Sequence, residues 1–568
     1  MSQAHQHRSA HSSHRWRRPL AGLAVAATAL TGVTALGGPA AGADAPALIS
    51  SGRPTTASSV EGSGFDAGRA VDGNTGTRWA SQEGTDPQWI RIDLGAGRTI
   101  SRVKLNWEAA YGKTYRIQTS DDGSAWTDVY STTAGDGGTD DLTVNGTGRY
   151  IRLYGTARGT AYGYSLWEFE VYGTGTGGPG PGPGPGPGVP FGSHTRPYVA
   201  GTLRPSGTQA ALDQKVIDYY AKWKAAFLRQ NCGNGWYQVI SPDADHPYVG
   251  EAQGYGMVIA ATMAGADPDA KKIFDGLTKW MIDHPSSVNR DLLAAEQDAS
   301  CKSVDGSDGA TDGDMDVAYG LLLADRQWGS SGTYDYKALA LKHIAAIKKD
   351  ELNPSTNLLK LGDWSGQGDE HYYVTRTSDW MVDHFRAFRA ASGDAAWDTV
   401  RTAHQNQIAN LQSKYAPNTG LLPDFVVNTN STPKPAPGKV LEDPNDGAYW
   451  WNACRTPWRI ADDAVTSGDA KSLAAARKLN SWIKGKTGGD PNKIGVGYRL
   501  DGSQISSGSE AAYFAPFALA AMTDPGSQAW LDALWNKMVA TPVDTSSYFS
   551  ASIQLQVMIT ASGNHWVP

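Results

Sequence analysis

Ala310-Thr311-Asp312-Gly313-Asp314-Met315-Asp316-Val317-Ala318 sets three carboxylates at alternate positions just before an apolar stretch, Met315 to Trp328. Apolar residues three and four apart in that stretch spell a helix with a buried face. N-capping accounts for one of the acids. It does not account for three, because like charges this close cost free energy unless cations or hydrogen-bond donors answer them.

Working outward, the same spacing predicts helices over Leu212 to Leu228, Tyr255 to Ala264, Ala270 to Ile282, Tyr336 to Ile347, Trp380 to Ala391, Trp397 to Leu411, Ala474 to Ile483, Ala511 to Met522 and Gln528 to Val539. Long Gly/Asp/aromatic loops between alternate pairs suggest a closed ring of helical hairpins. A linear solenoid is the competing architecture, but no motif repeats at a fixed period.

Upstream, Gly177 to Val189 is a Gly-Pro repeat that can pack no core and forms an extended spacer. Before it, Trp89-Ile90-Arg91-Ile92-Asp93-Leu94, Tyr115-Arg116-Ile117-Gln118-Thr119 and Tyr150-Ile151-Arg152-Leu153-Tyr154 alternate in polarity between turn clusters, the pattern of an antiparallel sandwich or barrel. The first residues read as an export signal: Arg15-Trp16-Arg17-Arg18, then an uncharged run from Pro19 to Leu36, too short for a membrane span. The expected organisation is a signal at 1–43, a β-domain at 46–173, a linker at 174–189 and a helical domain at 190–568. Secretion, by the general or the twin-arginine route, and no membrane attachment after signal removal are expected with it.

Of 568 residues, 19% are charged and 40% hydrophobic, with a formal net charge of -7; this excludes a disordered chain and a basic nucleic-acid footprint. The 20 Trp and 24 Tyr are more than such a length needs, and flat amphipathic rings stack on pyranose faces. Three cysteines leave one unpaired if a bridge forms. Cys232 and Cys301, both in Gly/Asp/Ser-rich loops, are the favoured pair, with Cys454 in a packed helix. Neither they nor the histidines show metal-site spacing.

Ala70-Val71-Asp72-Gly73-Asn74, Thr77-Arg78-Trp79-Ala80-Ser81, Trp107-Glu108-Ala109-Ala110-Tyr111 and Trp167-Glu168-Phe169-Glu170-Val171-Tyr172-Gly173 resemble the discoidin, or factor 5/8 type C, fold. The resemblance implies a carbohydrate-binding module. It puts Asp72, Thr77 and Glu168 at the positions of a structural calcium, though Asp72-Gly73-Asn74 is also a tight turn by itself. It gives Glu61, Glu108 and Tyr162 as sugar-contacting residues, with Glu83, Trp79 and Trp107 as further candidates of which at least one tryptophan is core.

Ala310 to Trp328 and Val249-Gly250-Glu251-Ala252-Gln253-Gly254-Tyr255-Gly256-Met257 resemble glycoside hydrolase family 8, departing from its usual residues at Val317 and Gly320. The resemblance implies an all-α (α/α)6 barrel after the all-β discoidin-like sandwich, and an inverting endo-glycosidase. It makes Glu251 the general acid, its pKa raised, and Asp312 the residue that holds the sugar on the non-reducing side of the scissile bond; a first-turn Glu is also what a helix dipole favours. The glycines beside Glu251 are read as letting a sugar approach the backbone. Asn452 stands where many members keep a catalytic Asp, and the base falls to Glu442 of Val440-Leu441-Glu442-Asp443-Pro444, with Asp443 as the alternative. That pattern, with Thr375-Arg376-Thr377-Ser378-Asp379-Trp380-Met381, resembles chitosanases and lichenan-type glucanases.

Arg376, Arg455 and Arg459 are expected to hold acids by forked hydrogen bonds, or to serve as ordinary ion pairs. Tyr255, Trp236, Trp364, Tyr372, Tyr373, Tyr449, Trp450, Arg376, Asp379 and Arg455 are the substrate-binding candidates, and Glu296 and Asp298 are candidates to meet glucosamine ammonium groups. The expected substrate is chitosan, with β-1,3-1,4-glucan or cellulose as the alternative and a non-catalytic wall-binding protein as the rival class. No cofactor for catalysis, no nucleic acid and a monomer are expected.

Overall fold

The computed structural model describes residues 47–51, 53–174, 188–304 and 307–568, so the signal and most of the linker lie outside the described residues. The described residues form two compact units that separate within the Gly-Pro repeat.

The first unit is all β. Strands β1 Ala47–Leu48, β2 Thr55–Ala57, β3 Trp79–Ala80, β4 Gln88–Trp107, β5 Gly112–Ser120, β6 Thr127–Thr132, β7 Thr139–Arg158 and β8 Ser165–Thr174 pair antiparallel in the order β1-β8-β4-β7-β5-β6, with β2 on β4 and β3 on β8. Period-two alternation sends Ile90, Ile92, Ile117, Ile151 and Leu153 inward. Register shifts at Asp93/Arg98 and Ile100/Arg102 bend the 20-residue β4, so one continuous sheet supplies both layers of the sandwich. Trp79 and Trp107 are both core. No sugar can reach their faces.

The second unit holds α1 Gln209–Phe227, α2 Gly250–Thr262, α3 Ala270–Asp283, α4 Thr311–Trp328, α5 Tyr336–Ala346, α6 Val382–Ser392, α7 Ala396–Lys414, α8 Thr456–Ser467, α9 Ala470–Thr487, α10 Ala511–Phe514, α11 Pro516–Met522, α12 Gln528–Ala540 and α13 Tyr548–Ala561. Pro516 divides one inner helix into α10 and α11. The inner helices α2, α4, α6, α8, α10/α11 and α13 touch in that order, and α13 returns to α2; α1, α3, α5, α7, α9 and α12 pack outside them. The ring of six hairpins is closed, which makes the unit an (α/α)6 barrel and disposes of the solenoid.

Two inner helices escape the periodicity reading. In α13 all residues from Tyr548 to Ala561 are buried, so no polar face marks it. In α8 the buried run Thr456 to Val465 includes Arg459, Asp462 and Asp463, polar side chains at interior positions. Cys454 is buried and unbridged, but in a single turn, Ala453–Arg455, that leads into α8. Cys232 and Cys301 are disulfide-bonded, with Cα atoms 5.9 Å apart.

Glycines decide how closely α2 and α4 pack. A Cβ on Gly313 would lie 2.7 Å from the Gly250 carbonyl carbon and 2.9 Å from the Glu251 nitrogen; one on Gly254 would lie 2.9 Å from the Gly313 oxygen and from the Asp316 Cβ. The glycines flanking Glu251 therefore admit a neighbouring helix, where a sugar was expected. Their contact sets Glu251 beside Asp312.

Candidate active site

The three acids of the opening stretch lie inside α4, whose N-cap is Ala310, and none of them caps it. Each faces a different partner. Asp312 Oδ2 lies 3.1 Å from Arg455 Nη1 and 3.7 Å from Arg376 Nη1. Asp316 receives both terminal nitrogens of Arg459 and His384 Nε2. Asp314, on the opposite side, accepts from His343 Nε2 at 2.7 Å and the Leu293 amide at 2.9 Å. Asp312 and Asp316 are four apart on α4, as Arg455 and Arg459 are across α8, so two parallel ion pairs cross the barrel interior. Burial opposes charge on Asp312, but Arg376 and Arg455 outweigh it and hold that carboxyl well below the usual range.

Arg455, buried, is the hub. Its Nη1 donates to Glu251 Oε2 at 2.6 Å and reaches the Tyr255 hydroxyl at 3.3 Å; its Nη2 donates to Ser378 Oγ at 2.9 Å and Asn452 Oδ1 at 3.0 Å. The Asn452 amide then donates to Glu442 Oε2 at 2.7 Å, and Arg376 Nη2 donates to Glu442 Oε1 at 2.8 Å. Glu251 and Glu442 are thus joined through one guanidinium and one amide, and Asn452, no base itself, orients the glutamate. Asp443 Oδ1 accepts the Asn445 amide and side-chain nitrogen at 2.7 and 2.8 Å, within its own turn.

Sequence reasoning missed three groups. Tyr548, the first residue of α13, donates its hydroxyl to Glu251 Oε1 at 2.8 Å. Ser378 bonds Arg455 and Asp379. Asp424 accepts the amides of Trp450, Asn452 and Ala453 at 3.0, 3.1 and 2.6 Å and so fixes the segment that presents Asn452; burial pushes its carboxyl up, to about 8, against those donors. Asp379 is fully buried 3.9 Å from Arg376, and burial pushes it up to about 7, opposed by Arg376 and reinforced by Asp312. Only Ser378, inside a quoted motif, carried a signal.

The aromatic candidates separate. Tyr449 is fully buried among Tyr498, Tyr513 and Phe517, so it is core and presents no face to a sugar. Trp236 is tied to the end of α3 by a 2.7 Å bond to Asp283 and packs on Trp280. Tyr255 is also buried, reaching the site through its hydroxyl alone. Trp364, half-buried, packs beside Leu441 and against His371, which bonds the Val440 carbonyl; Tyr372 and Tyr373 form an edge-on pair in the same loop. Of these, Trp364 remains beside the Glu442 segment.

Asp383, Asp462 and His565 bring possible metal-ligand atoms within 4.8 Å of one another, a grouping the sequence spacing did not show. Both His384 ring nitrogens face carboxylates, Asp316 and Asp383, and Arg459 also reaches Asp316. Burial and the charge on Asp383 push the Asp462 carboxyl well up.

In the β-unit, Arg78 Nη1 lies 4.0 Å from both Glu61 and Glu108, and its guanidinium covers Phe65 at 4.4 Å. Tyr162 is 58% exposed. Asp72 accepts the Thr77 hydroxyl at 2.7 Å and the Asn74 amide at 2.9 Å. Glu168 is buried with Oε1 lacking a partner, its carboxyl pushed up by burial and by Asp72.

Residues 54–169 match the F5/8 type C domain and residues 206–563 match glycosyl hydrolases family 8. A Niallia circulans β-glucanase is 43% identical over 378 residues, 66% of this chain and 91% of that protein. An endoglucanase of Bacillus sp. strain KSM-330 is 39% identical over 379 residues, 65% of this chain and 80% of that one. The apo structure of a β-1,3-1,4-glucanase from Paenibacillus sp. X4 is 43% identical and covers 67% of this chain and all of its own, with a TM-score of 0.65. With the closed helical ring and the paired carboxylates already in place, the match over more than half the chain makes this protein a member of glycosyl hydrolases family 8, an endo-acting glycoside hydrolase.

Proposed function

We propose that the barrel cleaves mixed-linkage β-1,3-1,4-glucan by single displacement with inversion, Glu251 protonating the glycosidic oxygen while Glu442 activates water at the anomeric carbon. One observation carries the roles: a guanidinium and an amide stand between the two carboxylates. Inversion needs an interval for the attacking water, roughly 6.5 to 9.5 Å, and the intervening groups keep the two carboxylates from direct contact. Asp312, kept ionised by two arginines, is the group to stabilise the ring as it flattens toward an oxocarbenium ion. The glucanase reading replaces chitosan, since the barrel relatives named above are glucanases and the acids expected to meet ammonium groups are engaged. Glu296 is buried against His246 at 2.6 Å, and Asp298 accepts Ser300 and Lys302 amides in its own turn. Reducing-sugar release from barley β-glucan, carboxymethylcellulose and soluble chitosan, measured side by side, tests the substrate; activity on chitosan alone rejects this reading, and no activity on any of them favours a binding protein. Product anomers followed by NMR test inversion.

Tyr548 helps to orient the acid candidate. Its hydroxyl and Arg455 donate to the two oxygens of Glu251. Tyr548→Phe removes one of these bonds and lets the carboxyl turn, so kcat on β-glucan is expected to fall about tenfold. An unchanged kcat rejects the role.

The β-unit is proposed to bind polysaccharide through Glu61, Glu108 and Tyr162 and to hold calcium through Asp72, Thr77 and Glu168. The unpartnered Glu168 oxygen and the repulsion it shares with Asp72 fit a hard cation with oxygen ligands. Adding calcium to chelator-treated protein should raise the thermal midpoint of the β-unit, and Glu168→Gln should abolish that rise. Export is proposed from the Cys232–Cys301 disulfide, which needs an oxidising compartment.

A further inference from the structure

The outward face of the β-sandwich carries side chains that the calcium positions, the candidate sugar residues and the core do not use. Pairing of β4 with β7 sets Trp89 beside Tyr154, Arg91 beside Arg152 and Asp93 beside Tyr150; pairing with β5 continues the ranks to Arg116 and Gln118. With Ile90, Ile92, Ile151 and Leu153 turned inward, these residues form rows of rings and guanidiniums. The Arg152 guanidinium lies 4.0 Å from the Trp126 ring centre and 4.8 Å from that of Tyr154; Arg91 lies 5.3 Å from Tyr150 and 5.8 Å from Trp89.

Like charges directly opposite on neighbouring strands are destabilising. Two arginines of this face are answered, Arg149 by a fork onto Asp93 at 2.9 and 2.8 Å and Arg116 by Asp128 at 3.1 Å. Arg91 and Arg152, which face each other, have neutral acceptors: Arg91 Nε donates to Thr56 Oγ1 at 3.2 Å and Arg152 Nε to Gln118 Oε1 at 2.7 Å. Among the described residues no ion pair reaches either one. Burial and the charge on Arg91 hold Arg152 below the usual guanidinium value, with Tyr154 and the more distant Asp128 opposing.

We propose that this face binds an acidic polysaccharide, a uronate carboxylate lying across Arg91 and Arg152 while neighbouring pyranose rings stack on Trp89, Tyr150 and Tyr154. Opposed unpaired cations select an anion, the planar fork suits a carboxylate, and flanking rings suit sugar faces. A lipid surface is a poorer match, because the exposed large apolar side chains of this unit, Leu48, Val60 and Tyr162, belong to none of β4, β5, β6 and β7. The site is additional to the β-glucan reading and does not depend on it.

The test is native affinity electrophoresis of the full chain in gels containing polygalacturonate, with barley β-glucan gels in parallel. A net charge of -7 gives the protein no bulk attraction to a polyanion, so retardation reports a local site. The wild type should be retarded by polygalacturonate, and Arg91→Gln/Arg152→Gln should weaken that about tenfold, the scale of one lost charge-assisted contact. Thermal midpoints check the fold; if the double variant is unstable, Arg91→Lys/Arg152→Lys, which keeps charge and loses the fork, should be retarded less than wild type. No retardation of wild type, equal retardation of the folded variants, or stronger binding to phosphatidylserine vesicles than to polygalacturonate overturns the proposal.

Discussion

Glu442→Gln is expected to lower kcat on β-glucan by about a thousandfold, the scale of losing a general base. Gln cannot take the proton from water. It also cannot keep both hydrogen bonds, because Arg376 and the Asn452 amide each donate to one oxygen of Glu442 and a side-chain NH2 must face one of these donors. The thermal midpoint should change little beside the loss in rate, since the glutamate is partly solvent-accessible. Asp443→Asn is the control: that carboxylate holds the turn at Asn445, so its loss should cost much less activity. Near-full activity of Glu442→Gln, or the larger loss at Asp443, would reverse the assignment of the base.

Gly313→Ala should damage both the fold and the site. Its Cβ would meet backbone, the Gly250 carbonyl carbon at 2.7 Å and the Glu251 nitrogen at 2.9 Å, and backbone cannot rotate aside as a side chain can. Overpacking of this kind costs about 1–3 kcal/mol, and here the relief is a shift of α2 that carries Glu251 away from Arg455 and Asp312. Both the thermal midpoint and kcat are therefore expected to fall. Gly485→Ala, inside α9 where an added Cβ meets nothing within 4 Å, should instead stabilise by about 0.4–1 kcal/mol. Equal behaviour of the two variants would remove the α2–α4 contact as the element that places Glu251.

The two-domain plan was legible because its signals are local: alternation of period two before the Gly-Pro repeat, apolar spacing of three and four after it. The reading failed where an element is buried all round. α13 offers no polar face to set a period, and with it went Tyr548, whose hydroxyl bonds Glu251. Tyr449 failed for the opposite reason: an aromatic in a loop looks available until the loop proves to cross the core.

The residue types around the site and their resemblance to a family were written in the chain, down to Glu251, Asp312, Asn452 and Glu442. Their partners were not. Arg455 meets Asp312 and Glu251 across 143 and 204 residues of chain, and Tyr548 meets Glu251 across 297. Sequence periodicity reports which face of each segment avoids water, a property of neighbours within a few residues. Which buried charge answers which depends on closing six hairpins into a ring. Only that closure turns three crowded aspartates on one helix toward separate partners and joins Glu251 to Glu442 through an arginine and an asparagine.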